Sequence, residues 1–202
     1  MDSKSKKNLI VKTIAITGIM AALSTILRFL EFPLLFIAPN FLKFDFSDLP
    51  ALITAFVAGP FYGVIVEAVK NIIMLPFSQT AYVGELANFI IGAIFVFTAG
   101  IIYRLKPTKK TALVGMASGT VIMTVSAAFL NYFFLIPFFA KMYGNLPIEI
   151  IVSMFTAIIP SVKDLFGVII LSIIPFNLIK GVIISIITFI VYKKISTIFK
   201  KI

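Results

Sequence analysis

The 202-residue chain contains no cysteine, no histidine and no tryptophan. Without cysteine there is no disulfide and no thiolate nucleophile, and redox compartment cannot be read from cysteine usage. Without histidine as well, the usual zinc sites, the H-E-x-x-H motif and histidine proton relays are excluded. No G-x-x-x-x-G-K-[ST] loop occurs, so the chain does not itself use ATP by that route. Nothing in it reads as a catalytic centre, and no metal set is present. Acids are scarce too, eight against eighteen Lys and Arg. Any energy source must be a partner or an ion gradient.

Apolar residues fill the space. They make up 60% of the chain, and the mean hydropathy is +1.12. A soluble domain has apolar usage near one half. The composition is that of a polytopic, all-α membrane protein. At ~20 residues per crossing plus loops, the length suits one bundle with about six transmembrane helices. Residues 1–202 read as a single integral-membrane domain. The formal charge of +10 would suggest nucleic acid in a soluble protein, but here it lies in three clusters. These are Lys4, Lys6, Lys7 and Lys12; Arg104, Lys106, Lys109 and Lys110; and Lys193, Lys194, Lys200 and Lys201. Only Asp2 accompanies them. The positive-inside rule makes all three cytoplasmic, so both termini are inside and the number of spans is even.

The first helix is expected over roughly 8–30. Gly18 and Ala22 give it a small-xxx-small pair, which lets another helix approach closely, and Ala21 widens the smooth patch. Residues 31–47 form an aromatic, proline-interrupted loop that should fold down onto the bundle as a lid or lie in the interface. Ser47 or Asp48 can cap the second helix, with Pro50 in its first turn. That helix stops at Gly59-Pro60. The third runs on to about Phe77; the second is short for a full span, so the pair is expected to be tilted or re-entrant. Within it Glu67 and Lys70, three apart, are read as pairing with each other. A fourth helix covers about 83–104, with Asn88 near its outer end. A fifth starts near Thr111 and carries Asn131-Tyr132 to the far side of the hydrocarbon. The stretch 141–171 fits an interfacial or short hairpin segment.

The sixth helix is expected to start at Pro175, since proline suits a first turn. Asn177 and Lys180 then share a face that continues into Ile183, Ile184 and Ile187. A lysine near the bilayer centre costs about 2.5–3.5 kcal/mol, so something must offset it. A snorkelling lysine at a helix end is the plain reading. The alternative is a binding site. Asn88, Asn131, Asn177 and Lys180 fall in the outer half on three helices, beneath the aromatic loop. Asparagine amides and a lysine suit a flat heterocycle with an N–H between carbonyls, walled by phenylalanines. Asparagine in membrane helices also serves simply to join helices. On the binding reading, Lys180→Met loses ligand yet keeps or improves folding, because a costly charge is gone.

The motifs Phe44-Asp45-Phe46-Ser47-Asp48-Leu49-Pro50, Val69-Lys70-Asn71, Ala87-Asn88-Phe89, Leu130-Asn131-Tyr132-Phe133 and Ile174-Pro175-Phe176-Asn177-Leu178-Ile179-Lys180-Gly181 resemble those of the riboflavin-specific S components of energy-coupling factor (ECF) transporters, the RibU family. The resemblance covers nearly the whole chain and is weakest over 142–163. It implies a six-helix, multi-pass subunit of the bacterial cytoplasmic membrane that is not an enzyme and has no cofactor. It implies partners too: riboflavin as transported ligand, a transmembrane T component and two ABC-type ATPases. By the same resemblance Asn131, Asn177 and Lys180 hydrogen-bond the isoalloxazine ring, and Asn88 lies nearby. Phe41, Lys43, Phe44 and Asp45 belong to the covering loop, while Gly18 and Ala22 occupy the place of the T-component docking motif. Lys43 stands where a small or hydroxyl residue is expected, and Glu67 is an extra acid. An S component for another vitamin, a gradient-driven secondary transporter and a structural membrane subunit remain as alternatives. Glu67–Lys70 is the only candidate ion site for the transporter reading.

Overall fold

The computed structural model describes the backbone of residues 3–199 and the side chains of residues 7–192. The side chains of Lys4, Lys6, Lys193, Lys194, Lys200 and Lys201 lie outside the described set.

In hydrocarbon every backbone N–H and C=O must find its partner within the segment, so the apolar runs become helices. In chain order these are α1 (Ser3–Phe29), α2 (Asp48–Val57), α3 (Pro60–Met74), α4 (Val83–Leu105), α5 (Lys109–Leu130), α6 (Ile136–Met142), α7 (Ile148–Thr156), α8 (Leu165–Val168) and α9 (Ile174–Phe199). Two-residue strands β1 (Phe32–Pro33) and β2 (Lys43–Phe44) pair antiparallel and close the loop between α1 and α2. A single 3₁₀ turn, Leu75–Phe77, extends α3. The turn before α5 is held by a capping box in which Thr108 and Thr111 exchange side chain-to-backbone bonds.

Among the described residues, five stretches are long and apolar enough to cross a membrane: Lys7–Phe29, Pro60–Phe77, Val83–Leu105, Lys109–Met142 and Leu165–Tyr192. The expected six are reached only by counting α2, whose ten residues rise about 15 Å, half the hydrocarbon thickness. As expected, α2 is short for a full span, while α3 with its 3₁₀ turn has the length of a crossing. Almost all of α2 is buried, with Ala51, Leu52, Ile53 and Ala55 shielded from lipid by its neighbours. A helix enclosed on every side need not match the bilayer.

The connections sort to two ends. At one, the Tyr143 hydroxyl donates to the Gln79 carbonyl at 2.7 Å, and the Phe41 ring stacks on Phe139 with centroids 5.6 Å apart. At the other, Gly59 lies against Arg104, and the Tyr103 and Tyr192 hydroxyls bond each other. Arg28, near the end of α1, reaches the loop at the first end, so α1 begins and α9 finishes at the second. Between the ends the core draws on α1, α2, α3, α4, α5 and α9, with Leu52, Phe95, Met116, Met123 and Ile184 at its centre. Three glycines let these helices meet closely. A methyl group at Gly115 would land 2.7 Å from the Ala99 carbonyl oxygen, one at Gly63 2.8 Å from that of Ala51, and one at Gly181 2.6 Å from Thr120.

Pro175 does not start a helix. The last helix begins at Leu165, capped by Asp164, whose carboxylate accepts from Gly167 N–H at 2.7 Å, and it runs on through Pro175. Proline has no N–H to give, and its ring crowds the carbonyl four residues back. The chain answers with a π turn over Ile169–Ile173, in which the Ile174 N–H bonds the Ile169 carbonyl, five residues back. The same device precedes Pro137: a π turn over Asn131–Leu135 joins α5 to α6, and the Ile136 N–H reaches Asn131. Hence the fifth helix continues well past Tyr132, to Met142. The stretch 141–171 contains one short helix, α7, and its last residues belong to the long final helix.

Candidate ligand-binding site

The loop between α1 and α2 is folded down, as its apolar character predicted. Ile37, Ala38 and Phe44 are buried against Phe176 of α9, and Ser172 donates to the Ile37 carbonyl at 2.5 Å. Phe41 also meets Phe155 of α7 edge-on, with centroids 5.7 Å apart.

Beneath this loop is a cavity of about 90 Å³ whose wall includes Asn88 from α4, Asn131 from the first π turn, and Asn177 and Lys180 from α9. Phe41, Leu42 and Lys43 line it from the loop. The four polar residues expected to converge therefore do so, with two of the loop residues. Phe44 and Asp45 do not line it: Phe44 packs into the loop's own core, and Asp45 lies behind the wall, fully buried. Two further cavities adjoin it through Phe41 and Gly84. One of about 80 Å³ is mostly apolar, with Leu135, Phe139, Ile151 and Phe155. The other, of about 260 Å³, is lined by charged and amide side chains, with Arg28, Glu31, Asn40, Gln79 and Glu85.

Each asparagine has amide capacity left for a ligand. Asn131 and Asn177 each give one N–H to the carbonyl four residues back, Ala127 and Ile173, both at 2.8 Å. Those bonds leave the amide oxygen and the second N–H unused. The amide oxygen of Asn88 is buried with no hydrogen-bond partner among the described residues. Such an orphan acceptor ordinarily calls for an explanation, and a bound donor supplies one. Both π turns bear directly on this wall: Asn131 opens one, and Ile173, the acceptor for Asn177, closes the other. Single π turns are frequent at functional sites.

Lys180 is held by the protein itself. Its ammonium lies 3.0 Å from Asp48 and 3.5 Å from Asp45. Asp45 also meets Arg28 at 3.0 Å, and Asp48 meets Lys70 at 2.5 Å. Lys70 continues to Glu67 at 2.7 Å and to the Ser47 hydroxyl at 2.7 Å. Three cations and three acids thus form one buried, balanced network from α1, the loop, α2, α3 and α9. The cost of the Lys180 charge is offset within the chain. Its burial alone is then no sign of a ligand, whereas its place on the cavity wall is. An ammonium has three N–H donors, and two acids leave one free. Burial pushes the Asp45 carboxyl up, but Lys180, Lys70 and Arg28 outweigh it and hold it well below the usual carboxylate range.

Glu67 and Lys70 pair as expected, yet the pair is one edge of the larger network. Ser47 occupies the N-cap of α2 without capping it; its hydroxyl bonds Asp45 instead. Arg28 and Asp48, as members of a site, were missed. Arg28, Lys70 and Lys180 are lone cations in apolar stretches, and Asp45, Asp48 and Glu67 are as many acids. That equality was the available signal.

The family model for the ECF transporter substrate-specific component matches residues 12–192. The chain belongs to this family. Among relatives of this S component, the riboflavin transporter RibU of Staphylococcus aureus (strain TCH60) is 35% identical over 203 residues, all of both chains. The riboflavin transporter FmnP of Bacillus subtilis (strain 168) is 28% identical over 191 residues, 92% of this chain and 93% of that one. A solved structure of the S component of a bacterial ECF transporter superposes with a TM-score of 0.73 at 36% identity, covering 94% of this chain and 98% of its own.

Proposed function

We propose that this S component captures riboflavin at the loop-covered end of the bundle for ATP-driven uptake. Asn131, Asn177 and the free N–H of Lys180 take the polar edge of the flavin ring, and Asn88 accepts a hydrogen bond from the ligand. Phe41 and the apolar cavity beside it wall the ring. The observation that carries the reading is the convergence of three asparagines and one lysine, from three separate helices, on a single cavity under an aromatic loop. The names of the relatives supply the vitamin. The protein makes and breaks no covalent bond of the ligand. A transmembrane T component and two ABC-type ATPases supply the energy.

In this reading the loop-covered end faces outward, and both termini face the cytoplasm with the Lys106–Lys110 turn. The basic clusters at that end support the orientation. A single cysteine in place of Thr108 is expected to resist an impermeant thiol reagent in intact cells, and labelling from outside would reverse the orientation. The absorption spectrum of the detergent-purified protein tests the ligand. A flavin band, or flavin fluorescence quenched stoichiometrically on titration, is the expected result. Absence of both would remove the riboflavin assignment.

A further inference from the structure

A further cavity, of about 470 Å³, lies apart from the polar site, between α3, α4 and α6 at the loop-covered end. Of its wall only Glu85 is shared with the cavities beneath the loop. Its lining follows helical spacing: Ala68, Ile72 and Leu75 from α3 and its 3₁₀ turn, Leu86 and Phe89 from α4, Phe138 and Met142 from α6. Asn71 and Glu85 stand in the wall too, but both are buried and engaged. Asn71 donates to the Glu67 carbonyl at 2.8 Å, and Glu85 accepts from Ser78 at 2.6 Å. What remains open is apolar, with Ile72, Leu86, Phe138 and Met142 exposed beside it. All three helices belong to stretches with the length and apolarity of a membrane crossing, so the groove opens on lipid rather than water.

The rim has the marks of the headgroup level. Tyr82 and Tyr143 are exposed there, as tyrosines are at membrane interfaces. The Tyr143 bond to the Gln79 carbonyl ties the α3–α4 turn to the end of α6, joining the two sides of the groove at the rim. Lys141 is three residues from Phe138 and next to Met142, so it stands at the edge of the face that lines the groove. It is exposed, and its ammonium has no acid or hydroxyl partner among the described residues. An apolar cavity takes an apolar guest, and a lysine is a point charge suited to phosphate. We propose that the groove seats one acyl chain of a membrane phospholipid and that Lys141 takes its phosphate. From Ala68 to Leu75 the α3 wall rises about 10 Å, which lines the upper part of a chain whose headgroup lies at the rim. Within a bilayer the gain is dispersion rather than hydrophobicity, because the seated chain makes contacts that the helices alone leave unmade. Since Glu85 is common to the groove and to the polar cavity, the lipid backs the wall of the candidate site without entering it.

The test is native mass spectrometry of the full-length protein in mild detergent, titrated with phosphatidylglycerol and with diacylglycerol carrying the same chains. Wild type is expected to retain a single phospholipid and to bind phosphatidylglycerol about fivefold more tightly than diacylglycerol, the worth of one lysine near a phosphate surface. Lys141→Gln should bring the two lipids level. Ala68→Phe and, from α4, Leu86→Trp put bulk into the groove at part-exposed positions. Each should weaken both lipids at least about fivefold, since the contacts of the seated chain are lost. Riboflavin quenching at the wild-type level in both variants shows that they fold, and it keeps this result separate from the flavin reading. Lipid affinities unchanged by both bulky variants would overturn the proposal. Equal affinity of wild type for the two lipids would remove the phosphate from Lys141. Bulky variants that bind lipid normally but fail to co-purify with the partner subunits would give the groove to a partner helix instead.

Discussion

At the scale of single residues, the site rests on polar groups that hydrocarbon does not tolerate without partners. Asn131, Asn177 and Lys180 were legible because each interrupts an apolar helix, where a polar side chain needs a reason. Their partners were not. Lys180 and Asp45 lie 135 positions apart, and only the folded loop brings them together. The consequence for mutation is direct. Taking Lys180 as an uncompensated charge predicts that Lys180→Met folds as well or better. With Asp45 and Asp48 on its ammonium, the same change leaves two buried acids short of a cation. Removing one partner of a buried pair typically costs about 3–5 kcal/mol. Arg28 and Lys70 remain on those acids, which puts the cost at the lower end of that range. Lys180→Met is therefore expected to lower the melting temperature in detergent and to abolish flavin quenching. Adding Asp48→Asn restores charge balance and should recover most of the thermal stability without recovering the ligand. Asn131→Ala and Asn177→Ala test the amides alone. Loss of one buried polar contact costs about 1–3 kcal/mol, so each should weaken riboflavin roughly tenfold, with little change in melting. Unchanged affinity in both would reduce the asparagines to helix joints.

At the scale of elements, helix existence was plain from apolar runs, but helix limits at Pro137 and Pro175 were not. Proline reads equally well as a first turn or as an interruption that a π turn absorbs, and only the continuation of backbone bonding decides. Both π turns stand where the cavity needs its asparagines, because one extra residue per turn re-aims everything that follows. That α2 is short was legible, but its enclosure by the other helices was not. A ten-residue apolar helix carries no mark telling whether lipid or protein surrounds it, and here protein does. Close packing then fixes where α9 sits. Gly181 follows Lys180, and a methyl group there would lie 2.6 Å from Thr120 of α5 and 3.0 Å from Met123. Gly181→Val must push α9 away from α5 or force side chains off their rotamers. Overpacking of this kind costs about 1–3 kcal/mol. Because Asn177 and Lys180 ride on the displaced turn, riboflavin affinity is expected to fall at least tenfold along with the melting temperature. By contrast Gly18→Ala on α1, with nothing within 4 Å of the added methyl, should change neither.

At the scale of the whole molecule, the network ties the loop, α2, α3 and α9 to the end of α1, while the rest of α1 turns a smooth face outward. Gly18 and Ala22 are exposed on it, whereas Ala21, which reads as part of the same patch, is buried in the core. The patch is thus narrower than the sequence implied, and it is not used for packing within this chain. No group on it faces the cavity, and it stands far along α1 from Arg28, the helix's one contribution to the cavity wall. Binding and docking should therefore separate. In a membrane, helix association is driven by close packing rather than by hydrophobicity, so bulk at a small-xxx-small face prevents approach. Gly18→Leu and Ala22→Leu are expected to bind riboflavin with wild-type affinity and to melt at the wild-type temperature. Reconstituted with the T component and the two ATPases, both should lose transport by tenfold or more, and the complex should fail to co-purify. Transport at the wild-type rate by either variant would leave α1 facing lipid alone. Loss of binding together with transport would instead place the defect in the bundle.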